Sequence, residues 1–165
     1  MGSDSAATNG WGELTTLTES KVFTRGSVIY GVAGSVRVMN LIMYRFQPPP
    51  PQTDDLHEYM ATDFVDAMRE CFKTYGVAEE ENNVESVQAE ILIGVRGTLY
   101  SVHGGDYQVI RPAAQFDAVG TGGQIALGSL YSTQKRAPHA RIQLALEAAQ
   151  EYMASVRGPF MIGKV

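Results

Sequence analysis

The chain has 165 residues, 44% hydrophobic and 19% charged, with a net charge of −5 and an isoelectric point near 5.1. That is enough apolar material for one buried core and too much for disorder. A mildly acidic chain with no Lys/Arg block has no electrostatic footprint for nucleic acid or an anionic membrane. No apolar run is long enough to span a bilayer, and the single Cys71 excludes an intrachain disulfide.

The first eight residues are small and extended, and end in the turn-rich Asn9-Gly10-Trp11-Gly12. ESKVFT, Glu19 to Thr24, alternates and reads as a strand; SVIYGVA follows as a second, buried one. Apolar Val36, Met39, Ile42, Met43 and Phe46 then recur at helical spacing until Pro48–Pro51 stops the helix. That proline run suits a rigid polyproline connector better than a peptide ligand. Thr53-Asp54-Asp55 supplies capping chemistry for a second helix, with Leu56, Met60, Phe64, Met68 and Phe72 as its stripe and Gly76 at its end. Cys71 beside that stripe reads as a small buried hydrophobe. Glu79 to Asn83 reads as a solvated loop.

From Ser86 the period changes to two. VQAEILIGVRG, TLYSVHGG and DYQVIRP read as successive strands joined by tight turns, and QFDAVG as a further short strand. GTGGQIALGSLYST passes from a glycine-rich turn into a helix. A helix over 138–156 follows, with Ile142, Leu146, Ala149 and Met153 on one face, and PFMIGKV closes as a strand. The order is strands, two helices, strands, two helices, strand. Alternating patterns and short hairpins favour antiparallel sheets, and two helix pairs need two apolar sheet faces. The packing that satisfies both is an α+β, four-layer αββα sandwich of two mostly antiparallel sheets, with helices near 35–46 and 53–75 outside one and those near 123–133 and 138–156 outside the other. One domain, 1–165, is expected.

Several chemistries are disfavoured by what the motifs lack. GTGG lacks the Lys-Ser/Thr ending of a phosphate loop. His57, His103 and His139 lie on different elements without a second ligand at helical spacing, so no metal or other cofactor is expected. No G-x-S-x-G elbow occurs.

In their joint order, GSDSAAT, ESKVF, YGVAGSVRVM, FDAVGTGGQIALGSLYST and ALEAAQEY…GPFMI resemble the proteasome β-subunit and HslV group of N-terminal-nucleophile (Ntn) hydrolases. The resemblance covers nearly the whole chain and implies the same αββα fold. It also implies a site. Asp4 matches the family's acid in a small-residue segment, Lys21 its strand lysine, and Ala33-Gly34 the turn that opens a helix. In such proteins the side chain of a mature N-terminal residue, usually Thr, is the nucleophile, and its own α-amine acts as general base. The lysine steadies developing negative charge and is paired by the aspartate. A backbone N–H at Gly34 would serve as oxyanion donor, and the Thr121 hydroxyl, where the family usually has Ser, would support the amine and a proton-carrying water. Glu151 and Ser155 fall where the family often places an acid and a hydroxyl, a poorer match.

The resemblance departs at the nucleophile. In relatives the catalytic Thr opens a strand that turns back into the Asp strand, whereas Met1 already stands in that second strand. The first, nucleophile-bearing strand and its turn, about a dozen residues, are therefore expected to be absent from residues 1–165. Thr15 and Thr16 do not replace it, because Val32 and Pro48 stand where the Asp and Lys would have to follow Thr16. Ser3 and Ser5, which flank Asp4, would sit at the wrong end of the strand. Two expectations stay open: a threonine-type peptidase subunit acting on peptides or unfolded proteins, inactive without its nucleophile, and a catalytically silent structural or assembly subunit. The resemblance further implies a homo-oligomeric ring, with Met39, Met43 and Tyr44 as a candidate contact surface, and a possible ATPase partner. No basic n-region precedes an apolar stretch, so no secretory signal is expected, and the chain reads as cytoplasmic.

Overall fold

A computed structural model describes residues 1–9 and 11–164. The alternating segments form a five-stranded antiparallel sheet in the order β10-β9-β8-β5-β4. Its strands are β4 (Val22–Arg25), β5 (Val28–Gly34), β8 (Ala89–Val95), β9 (Thr98–His103) and β10 (Gln108–Ile110). Alternation divides the sheet's two faces. Val28, Tyr30 and Val32 of β5, Ile91, Ile93 and Val95 of β8, and Tyr100 and Val102 of β9 belong to the main core. Gly31, Ala33, Glu90, Leu92 and Leu99 line a cleft on the opposite face.

The core face is covered by α1 (Val36–Tyr44) and by a long helix built in three parts. Those parts are α2 (Leu56–Tyr59), a π turn (Met60–Phe64) and α3 (Val65–Thr74). The π turn explains the four-residue stripe. A period of four outruns an α-helical turn by about 40° at each step, and a wider turn takes up part of that drift. Met60, Phe64, Met68 and Phe72 are consequently all buried. Asp55 caps this helix by accepting from the His57 and Glu58 N–H groups, which hold its carboxyl below the ordinary range. At the other end of α1, the Arg25 guanidinium donates to the Ile42 and Phe46 carbonyls and ties the helix to β4.

The second β layer is narrower. The extended start of the chain runs as β1 (Gly2–Ser3) beside β11 (Met161–Ile162), breaks at Asp4-Ser5, and continues as β2 (Ala6–Thr8) beside β3 (Leu14–Thr16). Ser5 N–H bonds Arg157 O and Leu17 N–H bonds Ser5 O, so pairing continues through the break. Behind this layer lie α4 (Gly123–Ser132) and α5 (Pro138–Tyr152). The αββα sandwich expected from the element order is thus the observed architecture.

Four expectations need correction. Residues 79–83 belong to a hairpin, β6 (Ala78–Glu81) with β7 (Val84–Val87), whose turn is made by Asn82 and Asn83 at φ 52° and 64°. Asparagine tolerates that left-handed region, which makes the polar run a hairpin rather than a loop. QFDAVG is not a strand: Gln115 has φ 59°, the Asp117 carboxylate bonds the Ala118 N–H, and Gly120 N–H bonds Glu90. Side chains there take over the backbone pairing a neighbouring strand would give. Helix α5 ends at Tyr152 rather than near 156, because Met153 is extended (φ −118°, ψ 114°). Finally, Met39 is buried in the core and Met43 packs against it, so of the three residues considered for an assembly surface only Tyr44 is well exposed.

The acidic hairpin is fastened to α3. Glu85 accepts from Arg69 and Lys73, both at 3.0 Å. These two bonds, with Lys73's the larger effect, hold the Glu85 carboxyl below its ordinary range. A carboxyl lowered by folding contributes stability that is present above its unfolded value, about 4.3, and lost as pH falls through the folded one. Glu85→Gln should therefore destabilise the protein near neutrality. The gap to the parent in urea midpoint should close between about pH 5 and pH 3. A gap that stays constant over that range would show that the pair adds nothing.

Candidate active site

Asp4 sits in the break between β1 and β2, where its side chain does the work of a backbone partner. One carboxylate oxygen, Oδ2, accepts from the Ala6 N–H at 3.0 Å, closing a turn of the kind aspartate favours, and from the Arg157 N–H at 3.3 Å. The other, Oδ1, lies 2.7 Å from Lys21 Nζ. The two side chains are only 14% and 19% exposed, so each ion has exchanged most of its water for the other. Lys21 O accepts from Val32 N–H, which seats the lysine beside β5 just before β4 begins.

Ala33-Gly34 ends β5 and opens α1. Gly34 has φ +99°, and a Cβ there would stand 2.5 Å from Gln88 O and 3.0 Å from Ala89 Cα. Glycine is required on both counts. Ser35 then caps α1, its hydroxyl accepting from Val38 N–H, while its own N–H is committed to Gln88 O. Thr121 Oγ1 lies 2.8 Å from Ser155 Oγ, and Gly120, which packs against Ala33, donates its N–H to the Glu90 carboxylate at 2.7 Å.

Asp4, Lys21, Gly34, Thr121 and Ser155 all line one cleft of about 1380 Å³ between the five-stranded sheet and the α4–α5 layer. The expected residues are therefore brought together. Ser155, the poorer match in sequence, joins them, and Glu151 stays exposed on α5. Two contributors were not anticipated from the sequence: the backbone N–H of Arg157 and the carboxylate of Glu90. Glu90 left a trace as the one acid within the apolar strand AEILIGV. Cys71 is no rival nucleophile, since it packs against the core and burial pushes its thiol up. Ser3 and Ser5 are buried. Among the described residues no group of His, Cys, Asp and Glu could hold a metal ion, and no helix is long and apolar enough to cross a membrane.

The layering and the cleft define the fold of Ntn hydrolases. The chain is similar over 97% of its length to Thiobacillus denitrificans BPH in complex with epoxomicin, at 21% identity and TM-score 0.76, covering 88% of that chain. It is similar to eukaryotic HslV from Trypanosoma brucei at 16% identity and TM-score 0.67, with the same shares covered. The helical Anbu complex from Pseudomonas aeruginosa also matches, at 16% identity and TM-score 0.59, over 96% of this chain and 73% of that one. No protein-family model matches the sequence, and no curated protein matches it significantly. The resemblance read from the residues is borne out at the level of the fold.

Proposed function

We propose that this chain is the body of a proteasome- or HslV-like threonine-type peptidase subunit, a single Ntn-hydrolase domain whose nucleophile is carried by a strand that precedes Asp4 and enters the cleft. The observation that carries this reading is the largely buried Lys21–Asp4 pair in the wall of a cleft that Gly34, Thr121 and Ser155 also line. A purely structural domain gains little from an ion pair so placed, because its desolvation offsets its attraction.

In the proposed reaction an N-terminal Thr hydroxyl attacks the peptide carbonyl, and its proton passes to the terminal amine. The Lys21 ammonium lowers the energy of the developing alkoxide, and Asp4 holds it there. The Gly34 N–H faces the oxyanion, since that of Ser35 is already engaged. Thr121 and Ser155 hold the amine and the proton-carrying water. The amine returns the proton to the leaving group, and water then hydrolyses the ester. Assembly into a homo-oligomer, which likeness to the helical Anbu complex supports, belongs to the same proposal, as do an ATPase partner and a cytoplasmic setting.

The test is hydrolysis of small fluorogenic peptide amides, with epoxomicin as inhibitor. Residues 1–165 alone should be inactive. A form extended upstream by a strand and turn, maturing to an N-terminal Thr, should turn over and be blocked by epoxomicin. An extended form that is folded, correctly matured and inactive would favour a silent assembly subunit.

A further inference from the structure

The last turn of α5 and the loop after it gather three carbonyl oxygens around one side chain. Arg157 Nη1 donates to Gln150 O at 3.1 Å, Met153 O at 3.3 Å and Val156 O at 2.9 Å. The last carbonyls of a helix have no partner within it and form the negative end of its dipole. Gln150 O is one of these, while Met153 O, which also accepts from Val156 N–H, and Val156 O follow beyond the helix; three such oxygens converging would repel one another unless a cation stood between. Here the chain supplies that cation itself, from the residue just past the last carbonyl.

The backbone of the same residue reaches the candidate site. Arg157 N–H donates to Asp4 Oδ2 at 3.3 Å, and Arg157 O accepts from Ser5 N–H at 2.9 Å. The flanking residues repeat the connection. Ser5 Oγ donates to Pro159 O at 2.6 Å, and Gly158 N–H donates to Gln150 Oε1 at 2.8 Å. Two residues earlier, Ser155 meets Thr121 at 2.8 Å. The loop between α5 and β11 therefore touches both Asp4 and Thr121, and the guanidinium bonds carbonyls at its start.

We propose that Arg157 is a positioning residue for the Asp4–Lys21 pair: its guanidinium fills the carbonyl cup at the end of α5 and fixes the loop whose N–H holds Asp4. The division of labour between the two carboxylate oxygens makes this specific. Backbone donors on Oδ2 set the rotation of the carboxylate, and that rotation aims Oδ1 at Lys21. Without the guanidinium the three carbonyls spread, the Arg157 N–H moves off Oδ2, and the pair loosens.

The use of that pair in hydrolysis rests on the peptidase reading above. The geometry of the pair does not, so its test needs no activity. The intact chain and its Arg157→Ala and Arg157→Gln variants are treated with limiting acetic anhydride. Modification of Lys21 relative to exposed Lys135 is read by peptide mass spectrometry, with circular dichroism and urea unfolding as checks on the fold. Lys21 should react slowly in the parent. Its ratio to Lys135 should rise about tenfold in Arg157→Ala, the factor expected when roughly one hydrogen bond's worth of ordering is lost, and less in Arg157→Gln. Methylguanidinium, which can re-enter the cup, should lower the ratio again in Arg157→Ala and leave the parent unchanged. A parent-like ratio in folded Arg157→Ala overturns the assignment, as does a raised ratio that methylguanidinium does not reduce. Should Arg157→Ala fail to fold, the ratio in Arg157→Gln decides. Loss of cooperative unfolding in both variants makes Arg157 a folding residue and also overturns it.

Discussion

Lys21→Ala removes turnover from the upstream-extended, threonine-initiated form of the protein. The loss in kcat/KM should be at least about 10²- to 10³-fold, the range seen when one preorganised donor at developing charge is deleted. The same substitution leaves Asp4 largely buried and without its cation. That should cost about 1–3 kcal/mol of stability, less than for a fully enclosed pair because both side chains keep some water. Asp4→Asn tests the pair from its other side. An amide retains an oxygen for the Ala6 and Arg157 N–H groups but turns an NH2 donor toward Lys21 in place of the accepting oxygen. It should therefore also lose most turnover, and it should destabilise the chain because the Lys21 ammonium keeps no acceptor there. Urea unfolding and initial rates on a peptide amide measure both. Full activity in the extended Lys21→Ala protein would end the catalytic reading and leave a structural subunit.

Gly34→Ala should destabilise the chain by at least about 1–3 kcal/mol from its left-handed backbone alone. The added methyl makes matters worse, since it would meet the Gln88 carbonyl at 2.5 Å. That oxygen accepts the Ser35 N–H, so relief of the clash would break the bond that seats the cap of α1. The effect should therefore appear in two places. The urea midpoint falls, and amides at the start of α1 exchange faster with solvent than those of α3. In the extended form the oxyanion donor moves with the turn, and kcat should fall more than KM changes. A midpoint within experimental error of the parent would mean that β5 and β8 can part at this end at little cost, despite the close approach of Gly34 to Gln88.

Residue pattern alone carried much of the fold. The period-two runs became β8 and β9, because burial of one face leaves an alternating strand a single register, and the apolar run of β5 paired beside β8. Pro48–Pro51 bounded the first helix covalently, and the stripe from Met60 to Phe72 was buried as spaced. The pairing of Asp4 with Lys21 was also legible, since both stand in motifs whose order, with GTGG, resembles a known family.

What the sequence could not specify is whatever depends on side chains answering backbone groups far along the chain. QFDAVG has the composition of a strand, yet the Glu90 carboxylate from β8 takes the Gly120 N–H, and Asp117 turns the chain. The acids of 79–81 are solvated as expected, yet two asparagines in left-handed conformation close them into a hairpin rather than a loop, and Glu85 beyond the turn is pinned by α3. Met39 and Met43 were equally compatible with a surface or a core until the sheet took them. The clearest case is Arg157. A lone arginine after a helix reads as a solvated charge, and only the end of α5, bent back onto Asp4 by tertiary packing, converts it into the group that holds three carbonyls and one wall of the site. Periodicity reports which face of an element is apolar. It carries no information on which distant polar group will satisfy an orphaned carbonyl or N–H, because that pairing exists only once the layers have closed.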